Sequence, residues 1–167
     1  MKFLLEIKSP DSALERTKTI AQKEGLSPKT EFHITIIGRE TEDAIFEKLD
    51  TVSTKVKDEI KEDINVLLKK YTWSHTLLDE YFLITKQYTD GEERRSIIQT
   101  IELTELADFY SKLNSILNTL FLTPFPHITL YTTSTRPDKK LRGIGLYSND
   151  QFLSLNPQKI IPEQFAV

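Results

Sequence analysis

The chain has 167 residues, 38% hydrophobic and 28% charged, which is the size and composition of one globular domain, residues 1–167, burying roughly 70% of its unfolded surface. Its 22 Lys and Arg against 25 Asp and Glu give a net charge of −3. That excludes a surface-wide field for long nucleic acid, whose affinity comes chiefly from phosphate neutralisation, and the absence of cysteine excludes disulfides, thiolate metal sites and a cysteine nucleophile.

In chain order, Phe3, Leu5 and Ile7 alternate with Leu4, Glu6 and Lys8, predicting a first strand. This start is too short and too interrupted by charge for a signal peptide, and no segment is long enough to span a bilayer. A cytoplasmic protein with no membrane association is expected. Ser9-Pro10-Asp11 offers helix-start chemistry, a helix follows over Ala13 to Lys23, and Gly25 can end it. Leu26 to Thr30 is a connector. Phe32 to Ile37 is a second strand, stopping at Gly38. Between Glu40 and Lys70 an apolar stripe runs at helical spacing, through Ile45, Leu49, Val52, Val56, Ile60, Ile64 and Leu67-Leu68. It fits one long helix or, in preference, a helix and a strand separated near Asp63, with the stripe serving core packing.

Tyr81 to Tyr88 and Arg95 to Leu103 are β-branched and aromatic runs joined across Thr89-Asp90-Gly91-Glu92, a hairpin signal. A helix from Glu105 to Asn118 follows, with Thr104 as its N-cap. Thr123-Pro124-Phe125-Pro126 forces an extended entry into a strand over Pro126 to Tyr131, and residues 132–137 read as a loop. Arg136, Lys139, Lys140 and Arg142 make this region basic, with a solvated loop and a phosphate contact weighing equally. Gly143-Ile144-Gly145 lacks the rest of any nucleotide fingerprint and reads as a flexible loop. The tail beyond Asn156 can add an edge strand.

Two of the three histidines share one local pattern, His33-Ile34-Thr35 and His127-Ile128-Thr129, separated by more than half the chain. The strand period of two puts each imidazole and its hydroxyl on the same face, while Phe32, Ile34 and Ile36, or Ile128 and Leu130, supply the apolar back. Each copy therefore presents a titratable base beside a hydrogen-bond donor. The third histidine, in Trp73-Ser74-His75-Thr76, has its threonine adjacent, so the two side chains of a strand would oppose each other; it reads as an ordinary polar position.

Histidine acts as base or acid near neutral pH. Two of them facing one phosphodiester can divide the work, one taking a proton from attacking water and the other protonating the leaving oxygen. The threonines supply donors for the non-bridging oxygens as charge builds in the transition state.

The two motifs, His33-Ile34-Thr35-Ile36 and His127-Ile128-Thr129-Leu130, resemble those of the two-histidine (2H) phosphoesterase superfamily, which includes 2′,5′ RNA ligases and cyclic nucleotide phosphodiesterases. The resemblance in element order covers roughly Lys2 to Tyr147, its specific part being these eight residues. It implies an α+β fold of two pseudo-symmetric lobes, each with an antiparallel-rich sheet flanked by helices, around a central cleft. It also implies metal-independent, cofactor-free chemistry by a monomer on 2′,3′-cyclic phosphates, 2′-5′ linkages or cyclic nucleotides, with nucleotide or short RNA as the partner. His33 and His127 would be the acid and base pair and Thr35 and Thr129 the phosphate donors. Outside the motifs, Tyr131 at the cleft edge and Arg136 beside the phosphate are further candidates for substrate contact, with packing the simpler role for Tyr131. Two rival readings are a non-catalytic nucleotide or RNA-end binding module using the same cleft, and a metal hydrolase pairing the histidines with carboxylates such as Glu31. Threonine beside each histidine is a poor ligand for the latter.

Overall fold

The computed structural model describes residues 1–162. Strand β1 (Phe3–Glu6) leads into helix α1 (Asp11–Lys23), which Gly25 closes with a left-handed φ of 68°. The expected connector then contains a two-residue strand, β2 (Ser27–Pro28), before the first motif strand, β3 (His33–Ile37). Helix α1 starts without a side-chain cap: Pro10 occupies the cap position and its carbonyl accepts from the Leu14 amide at 3.0 Å.

The region 40–70 is two helices, α2 (Arg39–Leu49) and α3 (Thr54–Lys70), and contains no strand. The helical spacing of Ile60, Ile64 and Leu67 runs straight through Asp63, where no glycine or proline interrupts it, so α3 buries Ile64, Leu67 and Leu68 on one face. The break falls instead at residues 50–53. There β-branched Thr51 and Val52 are weak helix formers, and Ser53 adopts the extended geometry (φ −64°, ψ 156°) from which α3 starts.

Strands β4 (Thr76–Gln87) and β5 (Glu93–Glu102) form the expected hairpin. Gly91 takes φ 83° at the turn and the Tyr88 amide donates to the Glu92 carbonyl at 2.8 Å. Helix α4 (Glu105–Leu117) presents Leu106, Phe109, Tyr110, Leu113 and Leu117 to the core and ends at left-handed Asn118. Thr104 stands at its N-cap position but makes no side-chain cap bond, contrary to expectation. The second motif strand, β6 (His127–Ser134), extends three residues beyond Tyr131 through what reads in the sequence as loop. A 3₁₀ turn at Pro137–Lys139, helix α5 (Asn149–Ser154) and strand β7 (Gln158–Ile160) complete the described chain, β7 pairing as an edge strand with β4.

The fold is α+β with antiparallel sheets, as expected, but the sheets are unequal. One contains β1 and β3 alone, and the other runs β2-β6-β5-β4-β7. Strand β2, from the first half of the chain, pairs with β6. The main core lies between the helices and the strands, with Ile34, Ile36, Ile37, Ile97 and Ile128 fully buried. A second apolar cluster of Ile84, Ile98, Ile144, Leu146 and Phe152 covers another part of the five-stranded sheet. No helix among the described residues is long and apolar enough to cross a membrane.

Candidate active site

Strands β3 and β6 lie side by side, which brings the two His-x-Thr motifs together. The imidazoles are close enough for a charge on His33 to disfavour one on His127. All four motif side chains are half-buried, alternating with fully buried Ile34, Ile128 and Leu130. The alternation derived from a period of two thus holds from each histidine to the residue after its threonine.

There it breaks, identically in both strands. On β3, Leu4 pairs with Thr35 and Phe3 with Ile37, so Ile36 is an additional residue. On β6, Ile98 pairs with Thr129 and Ile97 with Tyr131, so Leu130 is additional. A β-bulge therefore follows each threonine. Bulges bend a strand and re-aim the side chains beside them, and they concentrate near active sites. The consequence in both copies is two successive buried apolar residues, Ile36-Ile37 and Leu130-Tyr131. On β6 the bulge also returns Thr132 and Ser134 to the motif's own face.

His127 is oriented by its backbone surroundings. Its Nδ1 lies 2.8 Å from the Phe125 carbonyl oxygen, a contact that requires a proton on Nδ1. Burial pushes its pKa below 6.5, opposed by the Phe125 and Ile144 carbonyls, which favour the imidazolium. His33 is also lowered from 6.5, first by burial and then by the charges of Lys29 and Lys2, with Glu31 and Glu6 acting the other way. Both imidazoles therefore rest neutral at pH 7.

A segment that the sequence presents as a flexible loop forms a wall of this site. Residues 141–147 cross the sheet as a strap whose carbonyls are held in succession. Lys29 Nζ donates to Leu141 O at 2.6 Å, Thr132 Oγ1 to Arg142 O at 2.8 Å and Arg94 Nη1 to Gly143 O at 2.8 Å. The carbonyl of Ile144 lies near enough to His127 to favour its charged form, and Leu146 O accepts from the Phe125 amide at 3.1 Å. Ile144 and Leu146, 1% and 3% exposed, anchor the strap in the second apolar cluster. Gly143 faces the motif: a Cβ there would stand 2.6 Å from Thr129 Oγ1. Tyr147 reaches the other motif strand, its ring packing where Cβ atoms on Gly38 and Gly145 would fall, close to the Thr35 methyl. The alternation Gly143-Ile144-Gly145-Leu146 was the available sequence signal, small residues facing one way and apolar ones the other.

The candidates outside the motifs are placed elsewhere. Tyr131 is turned into the main core by the bulge, 6% exposed, its hydroxyl donating to Leu14 O at 2.7 Å; it packs and does not line the site. Arg136 lies beyond the far end of β6, roughly 20 Å from Thr129 at ~3.3 Å per residue. It pairs there with Asp90 at 3.0 Å and Asp138 at 3.4 Å, too far to touch a phosphate held by the motifs. Lys139 is likewise engaged, with Glu92 at 3.0 Å. His75 is exposed, with Nδ1 3.3 Å from the Trp73 carbonyl oxygen. The residues that the sequence did not reveal are Lys29, beside His33, and Arg94, Gly143 and Tyr147.

Among the described residues, no three His, Asp or Glu side chains gather in a metal-binding arrangement. Two surface concavities, about 340 Å³ beside the start of α1 and about 420 Å³ between α3 and α4, include none of the motif residues. The motif pairs meet beside the strap, which packs against Thr129 through Gly143. No family profile, curated protein or solved structure matches the chain.

Proposed function

We propose that the chain is a phosphodiesterase of the two-histidine type, acting without a metal ion on a 2′,3′-cyclic phosphate, a 2′-5′-linked or a cyclic nucleotide. The observation that carries this reading is the pair of adjacent His-x-Thr strands bulged at the same point after the threonine. A strand by itself needs neither a base and donor on one face nor a bulge at that place in both copies; a site handling one phosphate from two sides uses the first and is often accompanied by the second.

In the reaction, a neutral imidazole takes a proton from water as the water oxygen attacks phosphorus. The P–O bond opposite breaks, and an imidazolium protonates the departing oxygen. Approach of the phosphate anion raises the pKa of both histidines, so that one charges on binding. His127 suits the acid role, because the Phe125 and Ile144 carbonyls favour its charged form. His33, flanked by Lys29 and Lys2, suits the base role. Thr35 and Thr129 donate to the non-bridging oxygens, and Lys29 and Lys2 add positive potential to an otherwise acidic chain.

A panel of 2′,3′-cyclic nucleotides, 2′-5′ oligonucleotides and cyclic dinucleotides, read by product identity in the presence of chelator, tests this. Turnover lost in both His33→Ala and His127→Ala supports it. Nucleotide binding without product across the panel would instead favour a binding module.

A further inference from the structure

The turn end of the β4–β5 hairpin holds a buried ion pair remote in sequence from both motifs. Glu92 is 1% exposed and Arg94 8%. One oxygen of Glu92 accepts from Arg94 Nη2 at 2.7 Å, from Arg94 Nε at 3.0 Å and from the Ser134 hydroxyl at 2.6 Å; the other accepts from Lys139 at 3.0 Å. Burial works against the charge of Glu92, but the bonds from Ser134, Arg94 and Lys139 prevail and hold its pKa down at about 2. The Arg94 guanidinium also lies over the Tyr88 ring, 4.7 Å from its centroid. So fixed, it turns its other terminal nitrogen, Nη1, to the chain beyond, where it donates to the Gly143 carbonyl at 2.8 Å.

A buried ion pair is weak evidence for stability, since desolvation offsets most of the attraction. A guanidinium whose other faces are occupied makes instead a rigid fixed point. What it fixes is a residue packed against Thr129, followed directly by the residue whose carbonyl favours the charged form of His127. We propose that Arg94 is a positioning residue for the second motif: through the Gly143 carbonyl it sets the strap, and the strap sets the Thr129 hydroxyl and the His127 ring. This rests on the reading of the motifs as catalytic, but its structural half stands apart from turnover.

Charge and position are separated by substitution: releasing the strap moves both the Ile144 carbonyl and the cover over His127, whereas a bare charge effect is restored by any cation at position 94. The experiment follows the His127 ring signals by NMR through a pH titration in the wild type, Arg94→Met, Arg94→Lys and, as a control on the neighbouring arginine that binds Glu24, Arg95→Met. Expected are a shifted His127 titration midpoint in Arg94→Met, only partial return in Arg94→Lys, and no change in Arg95→Met. On a substrate cleaved by the wild type, kcat should fall 10- to 100-fold in Arg94→Met with little change in KM. An unchanged midpoint or unchanged kcat in a folded Arg94→Met protein, or full return of both in Arg94→Lys, overturns the proposal. If that variant does not fold, Arg94→Lys, which keeps the charge but cannot span Glu92 and Gly143 as the guanidinium does, carries the test, and an unmoved His127 midpoint there overturns the proposal equally. A wild type that cleaves nothing defeats the catalytic reading alone, and the titration still decides the role of Arg94.

Discussion

Gly143→Ala perturbs the candidate site through one methyl group. Gly143 does not adopt a left-handed φ, so alanine brings no backbone strain; the cost is contact. The new Cβ would lie 2.6 Å from Thr129 Oγ1, 3.3 Å from its Cβ and 3.4 Å from its Cγ2. Carbon and oxygen settle near ~3.3 Å, so about 0.7 Å must be found in a packed region. Threonine offers only three staggered positions about χ1. Exchanging Oγ1 for Cγ2 worsens the contact, and only hydrogen relieves it, so the hydroxyl must swing away from its present direction. Loss of one preorganised donor costs ~10²–10³ in kcat, and overpacking adds about 1–3 kcal/mol of destabilisation. Steady-state kinetics on the best substrate of the panel, for wild type, Gly143→Ala, Thr129→Ala and the double variant, measure this directly. In the Thr129→Ala background no hydroxyl remains to be displaced, so the added alanine should change kcat less than about threefold. Wild-type kcat in Gly143→Ala, or losses that multiply in full in the double variant, would refute the reasoning.

Other outcomes follow from the same geometry. Because one imidazole must be neutral and the other charged, and both are shifted below 6.5, kcat/KM should peak below pH 6.5 in a bell-shaped profile. Replacing either histidine by alanine should remove the corresponding limb along with most of the activity. Glu92 has a folded-state pKa of about 2, well below its ordinary 4.5. Its contribution to stability is therefore complete above pH 4.5 and disappears as pH falls toward 2, so urea midpoints across that window should drop more steeply for the wild type than for Glu92→Gln. The Tyr110 hydroxyl donates to Ile36 O at 2.7 Å, in the bulge after Thr35, and burial pushes its pKa up to about 12. Tyr110→Phe should cost about 1–3 kcal/mol in chemical denaturation by leaving that carbonyl unpaired, and should lower kcat with it.

The motifs were legible because each is local: three successive residues on a strand determine what shares a face, and the Asp90-Gly91 turn and the proline-led entry to His127 signal themselves equally locally. Asp63 suggests a split because it is polar, yet it is no helix breaker, while the true break at Thr51-Val52 uses residues that also suit a buried stripe. The bulges carry no composition of their own. Ile36 and Leu130 look like further members of an alternating strand until their pairing with β1 and β5 is known. The strap and its anchors depend on contacts across the chain, Arg94 to Gly143 and Lys29 to Leu141, which no spacing rule reaches. Arg136 and Lys139 misled in the opposite sense, since a basic loop after a motif strand gives no hint of Asp90 and Glu92 waiting at the hairpin turn.

The central claim is that the two motifs act on one phosphate from opposite sides. The most direct measurement is hydrolysis of the substrate panel by wild type, His33→Ala and His127→Ala, each verified as folded by circular dichroism, with chelator present throughout. Cleavage of at least one cyclic or 2′-5′ phosphodiester by the wild type is expected, with a loss of at least a hundredfold in each variant. Near wild-type cleavage by either variant would contradict that claim.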